Sequence, residues 1–271
     1  MAFALFRDIR GPSLPTDRQM PALHITQHAA HMVSLPLTLL VMAILFCTTF
    51  TRSTLGFGDA LLAMPILALV IDIRMATPLV AFVGTTTALT ILLQGWRTVD
   101  LRAAWRLILA SFLGIPIGLL LLKGVPEGLV KAVLGVVLIL FGLYNLARPE
   151  LPALRYGGLA YLFGFIAGIL GGAYNTNGPP IVMYGTLQGW SPERFRATLQ
   201  GYFVPTGLLI LLGHGVAGLW TPQVFWLFGC SFPLIMLGVF LGGRLNQAIP
   251  KARFERVLYL FLIGIGILLI V

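Results

Sequence analysis

Between Gly168 and Pro180 the chain reads Gly-Ile-Leu-Gly-Gly-Ala-Tyr-Asn-Thr-Asn-Gly-Pro-Pro, with four glycines, two prolines and two asparagines inside an otherwise apolar region. No continuous lipid-facing helix is written this way. Proline removes a backbone donor and clashes with the preceding turn, and glycine frees the backbone, so a helix entering this stretch breaks. Irregular backbone at membrane depth survives only where protein or a water-filled cavity surrounds it, so the break is a candidate binding site.

A similar pattern occurs earlier, at Leu55-Gly-Phe-Gly-Asp59 and on to Pro65. Gly58 stands seven residues before Pro65, as Gly172 stands seven before Pro179. The correspondence continues with Met75 to Phe82 over Arg196 to Phe203. Gly114, Gly118 and Pro126 then fall over Gly238, Gly242 and Pro250, while the offset drifts from 114 to 124 residues. The chain is thus a two-fold internal repeat. Interrupted hydrophobic segments at matching places in two halves are a sequence pointer to a transporter's substrate site.

A mean hydropathy of +0.94, with only 10% charged residues, excludes a water-soluble globular domain. Ten apolar segments follow a polar tail: about 33–50, 55–71, 77–95, 104–123, 128–147, 155–172, 177–189, 197–213, 221–243 and 254–271. The expected fold is an all-α polytopic membrane protein. It divides into a tail or interfacial helix over 1–32, one transmembrane repeat over 33–149 and a second over 150–271. Five crossings per half bring the second half in from the opposite side, as an inverted repeat. The second and seventh segments are short for a bilayer and are candidates for re-entrant helices. With all ten segments crossing, twelve of the eighteen basic residues fall on one side, which places both termini outside by the positive-inside rule.

The net charge of +9 is scattered between apolar runs instead of forming one patch with interleaved aromatics, so nucleic acid is not an expected partner. The partners expected are the lipid bilayer and a small anionic substrate. Gly114/Gly118 and Gly238/Gly242 let helices approach closely, within one subunit or, as the alternative, across a homodimer. Trp96, Trp105, Trp190 and Trp220 read as interfacial anchors. Cys47 and Cys230 lie far apart in apolar stretches and read as small buried residues. His24, His28 and His31 share a helical face but lack a carboxylate or cysteine nearby, so neither a metal nor a cofactor is expected.

The chemistry is expected at the two breaks. A broken helix offers backbone amides at the start of its second half, where the helix dipole adds positive character. Two such ends facing one cavity suit a small anion. The candidate substrate-binding residues are Arg52, Thr54, Gly56 and Gly58 at the first break. At the second they are Gly171, Gly172, Tyr174, Asn175, Thr176, Asn177, Gly178 and Pro179. Helix capping is the competing use of the hydroxyls and amides. Asp59 is the candidate for proton coupling, and its alternatives are a helix cap and an ion pair with Arg52, seven residues back. Reading Gly58 onto Gly172 makes Ala173 the counterpart of Asp59. Gln94, Gln200 and His214 are polar residues expected to bond between helices.

Two halves, each opening with a Gly-rich break that leads to proline, resemble the sulfite exporter TauE/SafE family of membrane permeases. The resemblance runs from about residue 33 to the end, and the stretch from Gly168 to Pro180 carries it best. It implies transport of small sulfur-containing anions, such as sulfite, sulfoacetate or other organosulfonates, across the inner membrane of a bacterium, commonly outward. An intramembrane enzyme would need a compact catalytic set, and neither His-Glu-x-x-His nor Gly-x-Ser-x-Gly occurs. A membrane scaffold would not require polar breaks in both halves.

Overall fold

The computed structural model describes residues 34–56, 58–95, 101–147, 157–245 and 251–271. The readings made of the tail 1–32, its three histidines and Trp96 lie outside these residues, as do the side chains of Gln94 and Arg196.

Among the described residues all the regular structure is helical, in ten elements. They are α1 Leu35–Leu55, α2 Asp59–Val70, α3 Ile73–Gly95, α4 Leu101–Gly124 and α5 Glu127–Ala147, then α6 Leu159–Tyr174, α7 Gly178–Leu187, α8 Pro192–Val216, α9 Pro222–Leu245 and α10 Lys251–Ile270. Each corresponds to one of the ten expected apolar segments. Six helices, α1, α3, α4, α5, α8 and α9, hold stretches long and apolar enough to cross a membrane. At a rise of 1.5 Å per residue, α2 and α7 reach only about 18 and 15 Å, roughly half of the bilayer's hydrocarbon core. Large apolar side chains such as Leu35, Leu113, Leu120 and Leu140 remain exposed, which suits helices with lipid as their outer solvent.

The packing partners of the first five helices recur in the second five with the halves exchanged. Helix α1 packs on α9 as α6 packs on α4, α3 packs on α9 as α8 packs on α4, and α3 meets α8 while α5 meets α10. Small residues make the closest of these approaches. Gly164, Gly168 and Gly172 of α6 lie against the backbone of Leu107, Ser111 and Ile115 in α4, and Gly114 and Gly118 of α4 face Phe165, Ile169 and Ala173 in return. Gly238 and Gly242 of α9 lie on Phe46 and Phe50 of α1. Both Gly-x-x-x-Gly pairs therefore pack inside the chain, where missing Cβ atoms admit backbone-to-backbone contact.

Both breaks form where the sequence places them, but their register differs from the one that glycine-to-proline spacing suggests. After α1, Gly56 takes φ +94° and Gly58 φ +103°, and α2 starts at Asp59. After α6, Asn175 takes φ +53° and α7 starts at Gly178. The left-handed residue that ends each helix aligns Gly56 with Asn175, and the next helix start aligns Asp59 with Gly178, not with a neighbour of Gly172. Spacing misleads because Pro65 lies inside α2, whereas Pro179 opens α7. In this register Arg52 corresponds to Gly171 and Asp59 to Gly178.

Candidate functional site

The two breaks meet at one small cavity of about 30 Å3. Its wall comes from four places: Arg52 at the end of α1, Gly58 to Leu61 at the start of α2, Gly84, Thr85, Phe203 and Gly207 on the α3 and α8 pair, and Asn175 to Gly178 at the second break. Helices α3 and α8 follow α2 and α7 in each half and pack on each other, so they close the cavity from the side.

Arg52 is its charged centre and is almost fully buried. Its Nη1 donates to Asp59 Oδ2 at 2.6 Å and to the Gly84 carbonyl at 3.2 Å, and its Nη2 donates to Gln200 Oε1 at 3.3 Å. Gln200 is itself fixed, since its Nε2 donates to the Gly56 carbonyl at 2.9 Å. The guanidinium also stands 5.1 Å from the centre of the Phe203 ring, within cation–π range. An arginine in an apolar bundle is costly unless paired, and this one is anchored on four sides. The anchoring is incomplete, because buried Arg52 Nε finds no hydrogen-bond partner among the described residues.

Two further polar groups at the cavity lack partners among the described residues. The hydroxyl of Thr85 is buried and unbonded. Asn175 uses its backbone amide on the Gly171 carbonyl at 2.8 Å, ending α6, while its side-chain amide makes no hydrogen bond among the described residues. A Cβ built on Gly84 would stand 3.3 Å from Asn175 Nδ2, 3.5 Å from Asp59 Oδ2 and 3.6 Å from Arg52 Nη1, so three polar groups converge on one point. Buried polar atoms are normally satisfied, and Arg52 Nε and Thr85 Oγ1 are two exceptions in the wall of this cavity, while others, such as the hydroxyls of Thr87 and Thr198, lie elsewhere in the bundle.

The two helix starts are not equivalent. The first intrahelical bond of α2 runs from the Leu62 amide to the Gly58 carbonyl, which leaves the amides of Asp59, Ala60 and Leu61 pointing out of the first turn. In α7, Pro179 and Pro180 have no amide hydrogen, so only Gly178 offers one ahead of Ile181. Side chains take over at this end. Thr176 lines the cavity while its hydroxyl donates to the Tyr174 carbonyl at 3.0 Å, and Asn177 Nδ2 donates to Thr206 Oγ1 at 3.4 Å. Neither Gly58 nor Asn177 makes a side-chain cap.

Of the candidates read from sequence, Arg52, Gly58, Asp59, Asn175, Thr176, Asn177 and Gly178 come together at the cavity. Gly56 acts one step behind, through the carbonyl that holds Gln200. Thr54 turns away and bonds Phe50 and Gly242 carbonyls, fastening α1 to α9. Gly172 packs on α4, Gly171 lies against Ile210 and Asn177, and Tyr174 and Pro179 are buried outside the cavity wall. His214 is buried beside Gly172, with Nε2 3.4 Å from its carbonyl, and is not part of the wall. The described residues hold no cluster of three or more histidine, cysteine or acidic groups suited to a metal.

Gly84, Thr85, Phe203 and Gly207 line the cavity without having been singled out from sequence. Their available signal was position: Phe203 ends the second of two matched segments, and Thr85 belongs to the run Thr85-Thr86-Thr87 inside an apolar helix.

A sequence model described as "Sulfite exporter TauE/SafE" matches residues 41–269. A relative from Cupriavidus necator, "Probable sulfite/organosulfonate exporter TauE", is 27% identical over 239 residues, covering 83% of this chain and 91% of that protein. No solved structure matches the chain. With its helices, its apolar faces and a match over most of its length, the chain belongs to the sulfite exporter TauE/SafE family of membrane transport proteins.

Proposed function

We propose that the protein exports small sulfur-containing anions, sulfite and short organosulfonates such as sulfoacetate, across the cytoplasmic membrane of a bacterium. The observation that carries the reading is a buried Arg52 facing a cavity where Thr85 holds an unbonded hydroxyl and Asn175 Nδ2 converges on the same point as the guanidinium. A pyramidal sulfite or a sulfonate head has three oxygens, and one guanidinium with two neutral donors matches that geometry without excess charge. Phe203, Ala60 and Leu61 supply the apolar wall that a short carbon chain would touch.

A cavity of about 30 Å3 has room for about two waters, which is too little for an organosulfonate. Loading the site therefore requires the two break regions to separate, and alternating access supplies that motion. The two halves, residues 33–149 and 150–271, form an inverted repeat and rock about α3 and α8 around a fixed site near mid-membrane. The exchanged packing partners of the two halves support this arrangement.

The test is efflux of radiolabelled sulfite and sulfoacetate from proteoliposomes, for wild type and Arg52→Gln, with and without an imposed pH gradient. Flux in wild type that falls to background in Arg52→Gln supports the reading, and the gradient separates proton-coupled from potential-driven transport. If neither anion crosses, the substrate reading is wrong.

A further inference from the structure

We propose that Asp59 is a tethered stand-in for the transported anion: its carboxylate holds Arg52 while the cavity is empty and leaves when a substrate anion takes the guanidinium. The proposal rests on reading this cavity as the anion site.

The pair spans a hinge. Arg52 lies in the last turn of α1 and Asp59 is the first residue of α2, with Gly56 and Gly58, both at positive φ, between them. Rotation at two glycines can open that contact without moving either helix's packing partners. The contact itself is minimal. One guanidinium nitrogen meets one carboxylate oxygen at 2.6 Å, while Arg52 Nε and the second carboxylate oxygen bond nothing among the described residues. An arginine fork and a carboxylate can pair through two parallel bonds, so this pair leaves capacity that a free oxyanion can use.

The second break shows that a charge pair is not needed to build such a hinge. In the register set by Gly56 and Asn175, the places of Arg52 and Asp59 are taken by Gly171 and Gly178. The pair therefore belongs to what the first break does. Arg52 and Asp59 are also the only charged residues in the cavity wall among the described residues.

Electrostatics gives the pair a task. A transporter that returns empty has to carry Arg52 through its conformational change, and an unpaired arginine within the membrane opposes that step. Asp59 neutralises it in the empty state, and the substrate does so in the loaded state. Once displaced, the carboxylate still has a favourable place, since it sits on the first turn of α2, beside the unbonded amides of Ala60 and Leu61 and the positive end of the helix dipole. A tethered competitor weakens apparent substrate affinity in proportion to the fraction of time it holds the site. Pairing in 90 to 99% of empty molecules weakens apparent affinity about 10- to 100-fold.

The experiment compares two modes of sulfite movement in the same proteoliposomes: efflux into anion-free buffer, and exchange of labelled internal for unlabelled external sulfite. In Asp59→Asn the half-saturation constant for exchange should fall about 10- to 100-fold. Efflux should fall at least about tenfold relative to exchange, because the empty form now carries an unbalanced Arg52. An unchanged or raised half-saturation constant, or an equal loss of both modes, overturns the proposal. If Asp59→Asn does not fold, Asp59→Glu carries the test: it keeps the charge, so efflux and exchange stay linked, while the longer arm shifts half-saturation several-fold. An unshifted constant in that variant overturns the proposal as well. Wild type that moves no sulfite at all refutes the site reading and this proposal together, whereas wild-type flux with unaltered variant behaviour refutes this proposal alone.

Discussion

Replacing Asn175 by glycine separates a ligand group from a structural one, because the two roles give opposite signs. Asn175 ends α6 in the left-handed region, at φ +53°, through its backbone amide, which glycine retains. Glycine enters that region with no Cβ penalty, so the backbone of α6 should end as before. The side chain that disappears makes no hydrogen bond among the described residues, and a fully buried polar group left in that state would cost about 1–3 kcal/mol. Folding stability should therefore be unchanged or rise by about 1 kcal/mol, less than that cost because the group lies at a cavity that water can share. Binding should move the other way. A hydrogen bond to a charged group contributes about 1.5–3 kcal/mol, so losing one from a bound sulfite or sulfonate should weaken binding about 10- to 150-fold. Asn175→Ala is the control, since it removes the same amide but keeps a Cβ in the left-handed region, at a cost of about 1–2 kcal/mol. The assays are detergent melting of the purified protein and the concentration dependence of flux in proteoliposomes. If Asn175→Gly melts well below wild type, the side chain is structural and the argument from its missing partner fails. If melting and half-saturation both stay at wild-type values, Asn175 is not a ligand group.

Thr85→Val is nearly isosteric and removes a buried hydroxyl without a partner among the described residues, so melting should hold or rise slightly while half-saturation for sulfite rises about 10- to 150-fold, as expected for one hydrogen bond to a charged group. A drop in melting temperature would mean that the hydroxyl has a partner in the folded protein. Gly118→Leu forces a side chain into the backbone of Ile169 and Ala173 on α6, and overpacking of this kind costs about 1–3 kcal/mol or more. Folded yield, followed by size-exclusion of a fluorescent fusion, should collapse, whereas Gly128→Leu, where a Cβ meets nothing within 4 Å, should express like wild type. Equal yields would refute the account of α4 on α6.

The helical frame is legible in the sequence because glycine, proline and asparagine punctuate apolar runs, and those residue types act locally. The breaks after Leu55 and Tyr174 follow from backbone preferences of Gly56, Gly58 and Asn175 that need no tertiary partner. The Arg52–Asp59 pair is visible as one of three readings, because seven residues across a break is within reach of a long arginine side chain. Sequence does not show which side of a helix faces the cavity. Gly171 and Gly172 lie beside Asn175 in sequence, yet successive helical residues are rotated by about 100°, and α6 turns Gly172 onto α4. For the same reason Gly84 and Phe203 enter the site from helices that have no break.

The repeat register was the subtler loss, and it bears on function. Counting from glycine to proline treats Pro65 and Pro179 as equivalent, although one lies inside α2 and the other opens α7. Counting instead from the residue that leaves each helix left-handed aligns both helix ends and both helix starts at once. In that register, glycine stands in the second half at both places where the first half carries a charge, Gly171 for Arg52 and Gly178 for Asp59. The two breaks thus share a backbone design and divide the chemistry. The first supplies the charge and three amides ahead of the first intrahelical bond, while the second, whose prolines remove two amides, supplies the side chain of Asn175, which makes no hydrogen bond among the described residues. On the function proposed above, an anion held between them would touch both halves at once, so rocking one half against the other would change its surroundings.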